Sequence, residues 1–379
     1  MPTFRLRGLF PALISAALFL FQPAAAQERP GLIRRVITRV TSPSPRLDSV
    51  YVFQPRPRWS VMLTNDLRRT GVSQTNQFEA GSVPTSLSSE LWERLYKGVG
   101  LYAGYGSITL GMSREVGRKS AEYNKSFSFN YQGAGLGAHV AYYDIRQPLS
   151  YTLASGEPGT ADWNELSGSS GYPGRMKMIL AEGLYAFNRS TFSYGSVYKG
   201  SKIQRRSAGS WMAGVKFLQG EVTVDPREPI SGLVYGLSRQ GTVQGSVGAG
   251  YSYNFVPYHR DPQGSDIRGL RNLAINLTAL PLLTLYDRHV STRYVVNPVT
   301  GEASSKEMHP LQSSLRLNFV TRTGISYIWD RYYLSLAGDY NLFSFRGTTK
   351  VIGSGAAVDV KTAGRFSKWS TVLRFSVKF

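Results

Sequence analysis

The side chains best suited to acid–base chemistry in this sequence are its four histidines, because cysteine is absent. Asp287 and His289 are two residues apart, so on a β-strand they would share one face, as an orienting acid and a general base require. His139 lies between Ala138 and Val140 and would point away from the face that those apolar side chains occupy. The pattern is compatible with acyl transfer at His139 or His289, while a polar filler and a charged strand end are the simpler interpretations.

Residue spacing gives no support to metal or cofactor chemistry. His259 lies in a Pro-rich turn beside Arg260 and Asp261, and His309 precedes Pro310 at a turn. No two histidines have metal-ligand spacing, no Gly-Lys-Ser/Thr phosphate-binding loop occurs, and thiolate sites and disulfides are excluded. The sequence therefore predicts no metal and no cofactor.

The elements that must position these residues are β-strands, because apolar and polar residues alternate from Trp59 to the end of the chain. Such alternation also occurs in soluble sandwiches, but several runs are long enough to cross a bilayer with tilt. Twelve strands are predicted, with ten or fourteen as alternatives, at 59–68, 99–113, 122–131, 135–145, 175–187, 190–199, 207–221, 243–256, 270–285, 311–328, 332–346 and 366–379. An even number places both termini on the periplasmic side of a closed antiparallel transmembrane barrel.

Rows of apolar residues identify the outward face of this barrel. Leu273, Leu315 and Leu373 each belong to such a row, and Tyr332 and Tyr340 stand near the two ends of another, as interfacial aromatic girdles require. The final segment is the most specific signal, because it ends on an aromatic residue and resembles the strand that the barrel-assembly machinery recognises. Its outward residues are Trp369, Leu373, Phe375, Val377 and Phe379.

Long connections are predicted at 69–98, 222–242, 286–310 and 347–365, all after odd-numbered strands and therefore on the extracellular side. The Gly- and Ser-rich connection at 146–174 disagrees, because it follows an even-numbered strand. Either it is an unusual inner loop, or the strand count is wrong around it.

The first 26 residues have the order of a cleavable signal peptide, with Arg5 and Arg7 before an apolar run and Ala24-Ala25-Ala26 before Gln27. Cleavage would lower the formal net charge from +20 to +18. Such a charge favours anionic partners, and for an exported protein lipopolysaccharide and acidic solutes are better candidates than nucleic acid.

Residues 27–58 are predicted to form a periplasmic segment ahead of a barrel domain at 59–379. Between 31 and 40 apolar residues recur at helical spacing while Arg34, Arg35 and Arg39 fill the other face, which predicts a short basic amphipathic helix. The helix would lie against anionic headgroups or fold over the barrel mouth.

The inward register predicts a net-positive lumen, because basic residues there outnumber acidic ones. The basic set is Lys216, Arg316, Arg322 and Arg374, and the acidic set is Glu182 and Asp339. In a water-filled pore these cations would favour anions, whereas in a filled barrel they would pair with the acids and brace it.

Several segments resemble one bacterial family of outer-membrane barrels. Tyr185-Ala186-Phe187-Asn188, Phe192-Ser193-Tyr194 and Gln204 to Ser210 resemble the central signature of the uncharacterised family known as domain of unknown function 4421, and Asp48 to Val52 resembles its opening motif. Gly195-Ser196-Val197 departs from the Pro-Ala-Ala of that signature. The resemblance runs from about Asp48 to Phe379 and implies an outer-membrane barrel with no established activity and no catalytic residues to transfer.

These observations favour a non-enzymatic, porin-like barrel of the outer membrane with both termini in the periplasm. It would serve as a narrow passive conduit for small anionic or polar solutes, or as a structural surface protein. The alternative is a lipid-modifying barrel enzyme that uses His139 or His289. The expected partners are outer-membrane lipid, including lipopolysaccharide, and the assembly machinery at the C-terminal strand; the sequence does not predict an oligomeric state.

Overall fold

The chain divides into two units, Met1–Ser42 and Pro43–Phe379. The structure, a computed structural model, describes residues of the second unit only: 47–54, 59–80, 83–106, 108–116, 123–132, 135–156, 160, 163–225, 227, 237–261, 267–296, 303–307, 311–312, 316–352 and 357–379. The predicted signal peptide, the predicted helix at 31–40, His309 and Leu315 lie outside these residues. None of the helices that are described has the length and apolar character needed to cross a bilayer.

Among the described residues, twelve strands pair side by side, each antiparallel to both neighbours, and the ring closes where the last strand pairs with the first. The alternating sequence explains this arrangement, because a closed ring places the apolar side chains outside and the polar side chains inside, and it leaves no strand edge unpaired. The strands are β1 Trp59–Ala80, β2 Tyr96–Tyr105, β3 Ile108–Glu115, β4 Tyr123–Gln132, β5 Leu136–Gln147, β6 Gly174–Ala186, β7 Ala208–Thr223, β8 Leu237–Arg260, β9 Arg271–Val296, β10 Arg316–Trp329, β11 Tyr332–Ile352 and β12 Ala357–Lys378.

The predicted antiparallel barrel of twelve strands is confirmed, but two local predictions were wrong and cancelled each other. The single strand predicted at 99–113 is two strands, β2 and β3, which join at Gly106 with φ of 57°. The strand predicted at 190–199 is not a strand; it holds the short helix α1, Gly195–Lys199. Its aromatic residues resemble a strand pattern because they are buried, although inside the lumen instead of in the barrel wall.

The corrected strand order also removes the disagreement over the connection at 146–174. This connection follows β5, an odd-numbered strand, so it lies at the same end of the barrel as the other long connections. We call this the loop end. The opposite end, where β2–β3 and β10–β11 are joined by short turns and where β1 starts and β12 finishes, is the turn end.

The described outward residues form an apolar belt around the barrel. Leu277, Leu317 and Leu373 are exposed on the outer face, and Leu273 lies half-buried on the same face of β9 as Leu277. At the loop end, beyond the belt, three shorter strands continue the sheet from the long upper part of β1; they are Val83–Trp92, Ser150–Ser155 and Asn164–Ser169.

Aromatic rings form a girdle on the outer face at the turn end. The ring centroids of Trp59 and Tyr105 lie 4.9 Å apart, those of Trp329 and Tyr332 5.6 Å, and those of Tyr332 and Phe375 6.1 Å. Amphipathic rings at this height are typical of a membrane–water interface.

The far edge of the apolar belt is marked by Tyr340 on β11 and by Trp369, its partner on β12. The sequence placed Tyr340 there by itself; the strand register adds Trp369. Tyr332 and Tyr340 are eight residues apart on one strand, about 26 Å at 3.3 Å per residue. Tilt of the strand shortens this to about 20 Å along the barrel axis, close to the height of a transmembrane apolar band.

Candidate functional site: the barrel lumen

The connection between β6 and β7, residues 187–207, enters the lumen at the turn end, and we call it the plug. Phe192, Tyr194 and Tyr198 are buried in it. Gln204 holds the plug together from a fully buried position: its Oε1 accepts from the backbone N–H of Ser193 at 2.9 Å, and its Nε2 donates to the carbonyl of Thr191 at 2.6 Å. The Gln204 amide thus replaces the sheet bonds that this segment lacks.

The barrel wall binds the plug through buried polar side chains. Asn272 Nδ2 donates to the carbonyl of Gln204 at 2.8 Å, and Asn254 Nδ2 donates to that of Ser193 at 2.9 Å. The Tyr198 hydroxyl donates to Asn276 Oδ1 at 2.5 Å. The plug is therefore fixed to β8 and β9. It also supplies hydrogen-bond partners to the inward asparagines, which in an open pore would bond to water.

A further contact closes the turn end. Ile203–Gln204 pairs antiparallel with Val52–Phe53, which precedes the barrel. Gly200, with φ of 60°, lies against Tyr333, whose ring would be 2.6 Å from a Cβ at this position, so only glycine fits. The plug carbonyls of Val197 and Gly200 accept from Tyr333 and Lys378.

Two lysines of the plug have perturbed acidity. Burial lowers the pKa of Lys202 to about 8. Burial, and to a smaller extent the positive charge of Arg374, lower the pKa of Lys199 well below its usual range. Lys199 donates to the carbonyl of Asn130 at 3.1 Å. Both cations therefore sit where positive charge is poorly compensated.

A charged layer lies above the plug and crosses the lumen. Glu182 on β6 lies 3.2 Å from Lys216 Nζ on β7 and 2.7 Å from Arg322 Nη2 on β10. Arg322 also donates to the Tyr194 hydroxyl oxygen at 2.6 Å, which links the layer to the plug. Because three strands separate β6 from β10 on one side of the ring and seven on the other, the Glu182–Arg322 pair crosses the lumen.

The second acid of the layer is also paired. Asp339 on β11 lies 3.0 Å from Lys368 Nζ and accepts a hydrogen bond from Asn341 Nδ2 at 2.7 Å. Lys216 in turn donates to Asn341, so the two acid centres form one network. Lys216, Arg322, Glu182 and Asp339, four of the six predicted lumen residues, are thus brought together.

The other two predicted lumen cations are elsewhere. Arg316 lies nearer the loop end, 4.0 Å from Asp287. Arg374 lines a lumen cavity at the level of the charged layer, and its Nη1 atom is buried with no hydrogen-bond partner among the described residues. The assembly-signal residues predicted on β12 lie on the outer face, where Trp369, Leu373, Phe375 and Phe379 are exposed and Val377 is partly exposed.

Sequence reasoning missed a buried ion pair on the other side of the lumen. Arg68 Nη2 on β1 lies 3.1 Å from Glu93, a residue of the β1–β2 connection that folds inward. The guanidinium also stacks over the Tyr96 and Tyr143 rings, 4.0 and 4.8 Å from their centroids. Alternation along β1 could have placed Arg68 inward, but no local signal marks an inward Glu93 in a connection.

An apolar cluster fills the lumen between the charged layer and the loop end. It joins side chains of opposite walls and of the connections and comprises Val72, Leu91, Ala141, Tyr143, Ile145, Leu149, Met176, Met178, Leu180, Leu218, Phe343, Phe345 and Phe366. Side chains therefore occupy the lumen at both ends, with the plug at one and this cluster at the other.

The cavity between these layers has a volume of about 170 Å³. Its floor includes Tyr194, Tyr198 and Lys199 of the plug. One side is the inner face of β2–β4, where small residues such as Ser113, Ser126 and Ser128 leave room.

The histidines do not form a catalytic set. Both ring nitrogens of His289 lack a hydrogen-bond partner among the described residues, and the ring stacks on Phe345 at 5.2 Å. An irregularity of the β8–β9 pairing near Tyr286 turns Asp287 and His289 inward, where Asp287 lies near Arg316. His139 Nδ1 bonds to the Asn130 amide oxygen at 2.7 Å.

His259 bonds to Asp261 at 2.9 Å and to Asn272 at 3.1 Å, and so supports the turn end. No group of three or more His, Asp or Glu side chains in the described part of the chain is arranged to hold a metal ion.

A comparison with protein families matches residues 46–352 to the model for domain of unknown function DUF4421. A search of curated proteins found no match. Among solved structures, the outer membrane protease OmpT from Escherichia coli is 8% identical with a TM-score of 0.43, covering 86% of this chain and 98% of its own.

The Pseudomonas putida toluene transporter TodX is 8% identical with a TM-score of 0.20, covering 84% and 90%, respectively. A loop-deletion form of the Vibrio cholerae outer membrane protein OmpT is 7% identical with a TM-score of 0.17, covering 82% and 100%. Likeness at this level transfers neither proteolysis nor transport.

Proposed function

We propose that this chain, which belongs to the DUF4421 family, is an integral outer-membrane barrel with a closed lumen that acts as a structural surface protein. The observation that carries the proposal is the Glu182–Arg322 pair, because it spans the lumen at 2.7 Å where an open conduit would need water. A plug and an apolar cluster on either side of this pair support the same conclusion.

Placement in the outer membrane is supported by the apolar belt and the aromatic rings at its edges. We propose that the turn end faces the periplasm, since its connections are mostly short, and that the loop end faces outward. The exposed outer-face cations toward the loop end would then meet lipopolysaccharide phosphates; they are Arg69, Arg288, Arg346, Lys361 and Arg365. The outward residues of β12 would engage the assembly machinery.

The conduit hypothesis loses support because most of the predicted lumen cations form ion pairs with acidic side chains. Lys216 and Arg322 both contact Glu182, so they brace the barrel instead of lining a water-filled ring. The enzyme hypothesis loses support because, among the described residues, neither His139 nor His289 forms a hydrogen bond with both a serine and an acid.

Conductance of the purified full-length protein in planar bilayers tests this proposal. The wild type should show no steady current. A variant with residues 190–206 replaced by a short Gly-Ser turn should also stay closed, since the Glu182–Arg322 pair and the apolar cluster remain. A wild-type protein that conducts steadily, with discrete open levels, contradicts a closed lumen. This outcome decides the question even where the shortened variant fails to assemble.

A further inference from the structure

The lumen cavity contains two cations that have no acidic partner among the described residues. Arg374 has a buried Nη1 atom without a hydrogen-bond partner, and Lys199 donates only to the neutral carbonyl of Asn130. Both side chains line the cavity, and each is close enough to the other for the charge of Arg374 to lower the pKa of Lys199. Two adjacent unpaired cations in a polar cavity favour a negatively charged occupant.

The other charged groups of the cavity do not remove this imbalance. Arg68, Arg322 and Lys368 are each paired with one acid, namely Glu93, Glu182 and Asp339. This leaves Lys199 and Arg374 against one remaining acid, Asp66, which is not within ion-pairing distance of any described cation. The lining and its paired acids therefore carry one net positive charge.

Neutral donors complete the site. The hydroxyls of Tyr102, Ser126 and Ser128 line the cavity, and Ser126 also accepts a hydrogen bond from Arg68 at 3.1 Å. At about 170 Å³ the cavity is smaller than the roughly 300 Å³ at which pockets for drug-sized ligands begin. The space and the donors suit a small oxyanion.

We propose that this cavity is a binding site for a small oxyanion, an inorganic phosphate or a short carboxylate, held by Arg374 and Lys199. Asp66 lies on β1 two residues from Thr64, the strand partner of Arg374, and so opposes binding by like charge. The inference goes beyond the proposed function, since a closed barrel can hold an anion whatever its role at the surface.

Two substitutions that each remove one charge from the site give opposite expected effects. Arg374→Gln should weaken phosphate binding by roughly tenfold to a hundredfold, the range for one hydrogen bond to a charged group. Asp66→Asn should strengthen it, because a negative charge is removed. Arg271→Gln, an exposed outer-face change at the turn end, is the matched control and should leave affinity unaltered.

The measurement is thermal unfolding of the full-length protein in detergent, titrated with sodium phosphate and, separately, sodium acetate at constant ionic strength. A ligand that binds only the folded state raises the melting temperature in a saturable way. A saturable shift with either anion that follows the order Asp66→Asn, wild type, Arg374→Gln supports the site. No saturable shift with either anion, or equal affinities in Arg374→Gln and Arg271→Gln, overturns it. Where Arg374→Gln does not fold, the gain expected of Asp66→Asn still decides.

Discussion

Glu182 receives two cations at the centre of the lumen, so removing its charge should cost more stability than removing either cation. In Glu182→Gln both Lys216 and Arg322 lose their acid, which lies 3.2 and 2.7 Å from them. Breaking a buried pair from one side costs about 3–5 kcal/mol, and two orphaned cations place this change near the upper value.

The two cation substitutions should be milder because each leaves a neutral pair behind. Arg322→Met leaves Glu182 with Lys216, and its main further loss is the 2.6 Å bond to Tyr194, so we expect about 2–3 kcal/mol. Lys216→Met leaves the Glu182–Arg322 pair. Replacing all three with apolar residues of similar volume should recover much of the loss, as it does for other buried ionic groups.

Unfolding in urea, followed by tryptophan fluorescence in detergent micelles and by heat-modifiable mobility on gels, measures these differences. Arg346→Gln on the outer face is the control for a change of charge alone. If Glu182→Gln costs no more than Arg322→Met, the acid is not the centre of the brace and the argument for a closed lumen weakens.

The remaining predictions concern the plug and the closing strand. Burial lowers the pKa of Lys202 from 10.5 to about 8, so the unfolded state binds more protons between these pH values and the stability of the fold should rise with pH across about 8 to 10.5. Lys202→Met should reduce that rise and should be more stable than the wild type at neutral pH by up to roughly 3 kcal/mol. Urea unfolding at several pH values measures both effects. Phe379→Ser should impair assembly by removing the terminal residue of the outward face of β12, measured by membrane fractionation and heat-modifiable mobility. Normal amounts of folded barrel in the outer membrane would contradict the terminal-signal argument.

The wall of the barrel was predictable because each strand repeats one elementary pattern. Alternation on β9 to β12 assigned Leu277 and Leu373 outward, since a slip of one residue would turn the whole polar face toward the membrane. The same pattern failed between 99 and 113, where the turn at Gly106 is too short to interrupt it. Periodicity does not report a reversal of chain direction when the facing pattern continues through the turn.

The contents of the lumen were less predictable because they depend on contacts across the barrel. The predicted strand at 190–199 has buried aromatic residues, yet what fixes it is Gln204 and the asparagines of β8 and β9. These partners are up to about 80 residues away in sequence, as with Tyr198 and Asn276. The inward Glu93 is a similar case, since its partner Arg68 is 25 residues distant.

The width of a twelve-stranded barrel explains why this lumen needs both a plug and a charged layer. Wall side chains can fill the interior of an eight-stranded barrel, but the interior of a twelve-stranded barrel is wider than they can fill. The plug adds Phe192, Tyr194 and Tyr198 at one end, where the asparagines would otherwise need water. The Glu182–Arg322 pair joins β6 to β10, which leaves the space beside β2–β4, where Ser126 and Ser128 are too small to reach across. The cavity lies where neither the plug nor the wall side chains occupy the lumen. Arg374, whose Nη1 atom has no hydrogen-bond partner among the described residues, faces this cavity, so a small anion would supply the negative charge that no described side chain provides.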